Sequence, residues 1–114
     1  MHELSIATSA LQQALEETRR AGASRVTRIG LRVGAISGVD AEALRFAFSA
    51  ILPGTAAEGA VLDIDPVAAI ATCPDCQRDF SAEADFIFAC PACGRLSAAI
   101  RQGRELDLVR LEVC

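Results

Sequence analysis

Apolar positions in the first twenty residues recur at helical spacing. Leu4, Ala7, Leu11, Ala14, Leu15 and Thr18 lie on one stripe, with Glu16, Glu17, Arg19 and Arg20 elsewhere on the surface. The spacing predicts an amphipathic helix over 4–20. Gly22 is a natural stop, and the two arginines suit the negative end of the helix dipole. The period then changes from 3.6 to 2. Over 25–33, Ile29, Leu31 and Val33 alternate with Arg28 and Arg32, which reads as a half-buried strand. Gly34 to Val39 reads as a loop. Asp40 is a good N-cap for a second helix with Leu44, Ala47, Phe48, Ile51 and Leu52 on its apolar face, ended by Pro53 and Gly54. Residues 60–71 read as extended, and Pro66 within them suggests a sheet edge or a bulge. A cysteine-bearing segment fills 72–94. Leu96 to Ile100 and Leu106 to Val113 read as two strands around a turn at Gln102-Gly103.

This pattern predicts an α+β protein: two helices packed on a small three-stranded mixed sheet, with an inserted zinc-ribbon-like four-cysteine lobe. The expected division is an α/β domain over 1–70, completed by the C-terminal strand at 101–114, and a metal-binding lobe over 71–100 inserted in it. The 114-residue length fits one compact unit with such an appendage, and the 52% apolar content excludes a disordered chain. Eleven basic residues, all Arg, stand against fifteen acidic ones. The resulting charge of −4 disfavours a nucleic-acid binder that works through phosphate contacts. No apolar run reaches membrane-spanning length, and MHELSIATSA lacks the basic start and apolar core of an export signal. A cytoplasmic protein is the expectation.

In that compartment, Cys73-Pro-Asp-Cys76 and Cys90-Pro-Ala-Cys93 read as two turns offering four thiolates to one metal rather than as disulfides. Tetrahedral sulfur suits zinc, and also iron. Four protein sulfurs leave no open coordination position, so this ion is expected to be structural. The lobe is too short to bury a core of its own and needs the metal to fold. Cys114 is left over and is assigned nothing.

His2 is the sole histidine. A histidine at a chain end is by default solvent-exposed. Its neighbours argue for more. The Met1 α-amine, the His2 amide and the imidazole can form fused chelate rings about one cation. Alternatively the ring can anchor the metal beside the His2 and Glu3 amides. Either set approaches a square plane of nitrogens, which suits Ni(II) or Cu(II) rather than zinc, and Glu3 adds an oxygen donor. A closed thiolate site and an exposed, exchangeable terminal one are what a metal carrier requires. No nucleophile–base pair is evident, so an enzyme is not expected. A plain zinc-stapled interaction module and a rubredoxin-like iron centre are the rival readings.

The opening MHE, the loop VGAISGVD at 33–40, the run Glu58-Gly59-Ala60-Val61-Leu62, the pairs CPDC and CPACG and the closing GRELDLVRLEV at 103–113 occur in this order and spacing. Together they resemble the hydrogenase-maturation nickel metallochaperones, the HypA/HybF family, over essentially the whole chain. The resemblance implies Ni(II) as cargo at the N-terminus, with His2 the side-chain ligand and Met1 and Glu3 adjacent donors. It implies structural zinc at Cys73, Cys76, Cys90 and Cys93. It further implies a GTPase partner, HypB, and delivery to the large subunit of [NiFe]-hydrogenase, some members also serving urease with its accessory proteins. Cys114 matches no family position.

Overall fold

The computed structural model describes residues 3–81 and 88–114. It is elongated, with extents of 54 × 25 × 17 Å, because the chain builds two small sheets rather than one. Helix α1 spans Glu3–Arg20, strand β1 Val26–Gly34, helix α2 Ala41–Ile51 and strand β2 Val61–Val67. Strands β3 (Ile70–Cys73), β4 (Arg78–Ser81), β5 (Ile100–Gln102) and β6 (Leu106–Val113) follow.

The first sheet has the order β2-β1-β6, with β2 parallel and β6 antiparallel to β1. It is the predicted mixed sheet. Its central strand is β1, whose Ile29, Leu31 and Val33 are buried while Arg32 faces water. The helices pack on that apolar face through Ala7, Leu11 and Ala14 of α1 and Leu44, Ala47 and Phe48 of α2. Leu4 is a departure. It is 55% exposed, and Ile6 and Ala10 pack against the core instead. Thr18 is buried because its hydroxyl donates to the Ala14 carbonyl, which removes the cost of hiding a polar group. Asp40 caps α2 as expected, its carboxylate accepting from the Glu42 amide at 3.0 Å. Pro66 sits in β2, an edge strand, where the missing N–H costs no ladder bond.

The second sheet, β4-β3-β5, corrects two expectations. The extended stretch 60–71 is not one strand: β2 ends at Val67 and β3 starts at Ile70 in a different sheet. Likewise Leu96–Ile100 is mostly irregular, with a lone bridge from Leu96 to Ala89, and strand β5 begins only at Ile100. It pairs with β3 and not with β6. Periodicity reports which residues are extended but not which neighbour they pair with, so a strand that changes sheets looks continuous.

The two sheets meet where the chain crosses between them at Val67–Ile70 and Gln102–Leu106. Here Gly34 donates to the Glu105 carbonyl, Ala35 to Val67 and Ile36 to Gly103, all at 2.7–2.8 Å. The packing tolerates no side chain. A Cβ on Gly34 would lie 2.0 Å from the Gly103 carbonyl oxygen, an atom of backbone that cannot rotate aside. Gly34→Ala is therefore expected to destabilise the protein by about 3 kcal/mol, lowering the thermal midpoint by more than about 10 °C for a chain this size. A melt followed by circular dichroism checks this, and an unshifted midpoint would show the junction to be loose.

Candidate metal centre

Cys73 ends β3, and the chain turns at once through Pro74-Asp75-Cys76 into β4. The Gln77 amide donates back to the Cys73 carbonyl at 2.8 Å, and the Cys76 amide points at the Cys73 sulfur at 3.4 Å. The second pair repeats the turn: the Gly94 amide donates to the Cys90 carbonyl at 2.7 Å. Both turns need a left-handed residue after the second cysteine. Gly94 supplies it at φ 75° and Gln77 at φ 55°. The glycine is a readable signal for that geometry, whereas Gln77 carries none.

The turns face each other. All four sulfurs lie within 4.8 Å of one another, with Cys73 to Cys93 at 3.6 Å and Cys76 to Cys90 at 3.9 Å. A tetrahedron of sulfurs at a zinc–sulfur distance of about 2.3 Å has edges of about 3.8 Å, so the cluster has the size of a tetrathiolate metal site. Cys73 and Cys90 are buried with Ala71 and Phe80, and these four residues are the lobe's buried hydrophobic cluster among the described residues. So small an apolar cluster is typical of lobes that a bound metal stabilises, and the four sulfurs are placed to hold one. Arg95 Nη1 donates to both carboxylate oxygens of Asp75 at 2.9 Å, tying one turn to the other. Arg95 stands two residues after Cys93 in the chain, but nothing local reveals Asp75 as its partner. Its guanidinium also lies close enough to the Cys73 and Cys93 sulfurs to offset some of their negative charge.

Without a cation the sulfurs compete for protons. Hydrogen bonding to Cys93 and Cys90 pushes the Cys76 thiol up to about 12. Backbone N–H groups of Cys93 and Ala92 outweigh burial and hold Cys90 down at about 7. Against the bond from the Arg95 amide, which lowers it, hydrogen bonding to Cys73 and burial raise the Cys93 thiol as well. A metal entering at neutral pH must therefore displace at least the Cys76 and Cys93 protons, which makes its affinity fall by at least about a hundredfold per unit of acidification. Below about pH 7 Cys90 is protonated too, and the dependence steepens. Zinc competition against a chelator of known proton affinity at pH 6, 7 and 8 checks this, and a flat profile would contradict it.

The other predicted site lies at the opposite character of chemistry. Met1 and His2 fall outside the described residues. Glu3 opens α1, and its carboxylate accepts from the Asp40 amide at 3.3 Å. The start of α1 thus meets the start of α2 and the 35–40 loop, beyond the carboxyl end of β1. Asp40 is a neighbour that sequence reasoning used only as a helix cap. Its pairing with Glu3 spans 37 residues and leaves no local signature.

The described residues thus form a two-sheet α+β protein with a tetrathiolate-sized cysteine cluster in the lobe of the second sheet. Residues 1–113 match the family described as hydrogenase/urease nickel incorporation, metallochaperone, HypA, and the chain belongs to that family. It is 43% identical over 112 residues to the hydrogenase maturation factor HypA of Chloroflexus aurantiacus, covering 98% of each chain. It is 42% identical over 113 residues to that of a Picosynechococcus species, covering 99% of each. The solution structure of the nickel metallochaperone HypA from Helicobacter pylori superposes with a TM-score of 0.70 at 27% identity, over 99% of this chain and 97% of that one. No helix among the described residues is long and apolar enough to cross a membrane.

Proposed function

We propose that this chain is a cytoplasmic nickel carrier that binds Ni(II) through its first three residues and hands it on during maturation of [NiFe]-hydrogenase. His2 supplies the imidazole, and Met1 and Glu3 are the adjacent donors. Cys73, Cys76, Cys90 and Cys93 hold a structural zinc. The carrier work falls to the 1–70 domain completed by 101–114, and the 71–100 lobe is the zinc unit inserted in it. HypB, the large hydrogenase subunit and, where urease is served, its accessory proteins are the partners this reading assigns.

The observation that carries it is the family match across residues 1–113, which takes in both the N-terminal triplet and both cysteine pairs. The chemistry supports it. Four sulfurs of tetrahedral size saturate a zinc ion, keep it four-coordinate and leave no place for exchange. A terminal set of nitrogens with one carboxylate prefers the square-planar divalent ions and lets them go as protons compete. The bond from the Asp40 amide fixes Glu3 where the helix begins, so the donors start from an anchored base. The positive end of the α1 dipole opposes a cation there, and ionised amide donors with the Glu3 carboxylate offset it. Nickel titration of the chain against His2→Ala is the test: equal affinity in the two would overturn the terminal assignment.

A further inference from the structure

The two cysteine turns carry an arginine at the same place: Arg78 stands two residues after Cys76, and Arg95 two residues after Cys93. The structure uses them differently. Arg78 opens β4 and makes no ion pair among the described residues. Arg95 is engaged on three sides. Its carbonyl accepts from the Cys90 amide at 2.9 Å, which closes the second turn. Its own amide donates to the Cys93 sulfur. Its guanidinium reaches Asp75, in the middle of the first turn, and stands near the Cys73 and Cys93 sulfurs.

These contacts fall where the centre is least protected. Cys73 and Cys90 are buried and Cys76 is half-buried, but Cys93 is exposed. Water, protons and chelators reach a bound ion by way of Cys93 first. Toward β3 the two halves of the lobe are well joined. The Thr72 amide donates to the Ala99 carbonyl at 2.9 Å, and the Ser97 hydroxyl to the Thr72 carbonyl at 2.6 Å. At the outer end, sulfur contacts aside, the Arg95–Asp75 pair is the hydrogen-bonded link between 74–77 and 90–95 among the described residues. Four thiolates around a divalent cation also leave a net negative charge, which a fixed guanidinium partly offsets.

We propose that Arg95 is a positioning residue of the thiolate centre: held by Asp75, it clasps the exposed Cys93 sulfur and sets how slowly the zinc is released. The inference rests on the four-cysteine zinc reading. A carrier whose cargo exchanges at one end has to keep the thiolates at the other from exchanging. An exposed sulfur with no outer partner is the place where such a centre leaks, because outer partners hold a metal's ligands in orientation. Asp75 acts with a sign that charge alone does not give. Removing its carboxylate takes a negative charge away from the sulfurs, and by itself that lets a proton or chelator draw the cation off less slowly or more slowly only through charge: less negative surroundings hold a cation less, but they also leave the guanidinium's full charge on the thiolates. Both effects loosen the zinc while Arg95 is present, and without Arg95 the second disappears.

Transfer of zinc from the loaded chain to an excess of chromophoric chelator, followed by absorbance, tests this. Arg95→Gln is expected to release zinc about tenfold faster, the lower end of what outer partners of metal ligands are worth, because the pair is about half exposed. Asp75→Asn is expected to release it about threefold faster, and Arg78→Gln to stay within about twofold of the parent. In the Arg95→Gln background Asp75→Asn adds much less than it does alone, since it acts through Arg95. With Co(II) in place of zinc, the thiolate-to-cobalt charge-transfer band is expected to shift in Arg95→Gln and to stay in place in Arg78→Gln. An Arg95→Gln chain too leaky to load leaves Asp75→Asn against Arg78→Gln to decide the same point. A parent that holds no zinc overturns the zinc reading and this inference with it. With a zinc-loaded parent, Arg95→Gln at the parent's rate, Arg78→Gln as fast as Arg95→Gln, additive effects of the Asp75 and Arg95 changes, or an unshifted band overturns this inference alone.

Discussion

Ni(II) affinity is expected to fall at least about a hundredfold when His2 is replaced by Ala, with zinc content unchanged. Altering groups that merely orient metal ligands already costs about 10–100-fold, and here the imidazole itself is lost. The rest of the proposed set is an amine, amides and one carboxylate. Without the ring nitrogen to anchor it, nickel has little reason to ionise a backbone amide, so the loss spreads beyond one bond. Isothermal titration with Ni(II) at pH 7.5 on both proteins measures the difference. The same logic gives a second arm. One residue added before Met1 moves the α-amine away from His2. If the amine completes the chelate, the extension weakens binding nearly as much as His2→Ala does. Retained affinity assigns the plane to the His2 and Glu3 amides. Acidification should release nickel in either case, because protons compete for the imidazole and for the ionised amides. Ni(II) binding at full strength in His2→Ala would leave a zinc-stapled adaptor as the better reading.

Cys73→Ser is expected to empty the thiolate site and unfold the lobe that carries it. Cys73 is fully buried, ends β3 and lies 3.6 Å from Cys93, so its sulfur joins the two turns. Structural zinc contributes about 10–16 kcal/mol of apparent binding energy in small zinc peptides, and a lobe with so small an apolar cluster has nothing of that size to replace it. Elemental analysis should fall from about one zinc per chain to a small fraction of that. Helix content should persist, because α1 and α2 pack on the first sheet through Ala7, Leu11, Leu44 and Phe48, none of which belongs to the lobe. Nickel binding should persist with it. Unchanged zinc in this variant would contradict the four-thiolate assignment, and loss of the helices would contradict the separateness of the two packing clusters.

The parts of the fold that were legible in the chain are those whose signal is local. The α1 stripe from Ala7 to Thr18, the Asp40 cap and the alternation in β1 each arise from contacts within a few residues of a regular element. The spacing of Cys73, Cys76, Cys90 and Cys93 foretold their clustering, because two tight turns across a short loop have few other ways to satisfy four thiolates. What was misread is non-local. The stretch 60–71 is divided between two sheets at Val67–Ile70, and β5 abandons β6 for β3. Nothing in the residues between β2 and β3 announces that change, since Ala68 and Ala69 are compatible with either neighbour. Leu4 was assigned to the buried stripe from helical phase alone, and phase cannot say how far along the helix the packing extends.

By itself the chain determined the two helices, the approximate places of β1 and β6 and the clustering of the four cysteines, because covalent spacing and side-chain chemistry suffice for these. Tertiary structure alone decided the rest. It chose which strand joins which sheet, brought Asp40 to Glu3 and Asp75 to Arg95, and placed Gly34 against Gly103 and Gly103 against Ala69, so that neither glycine could carry a side chain. Each of these is an encounter between residues distant along the chain, and it exists only once packing has selected one of many compatible pairings.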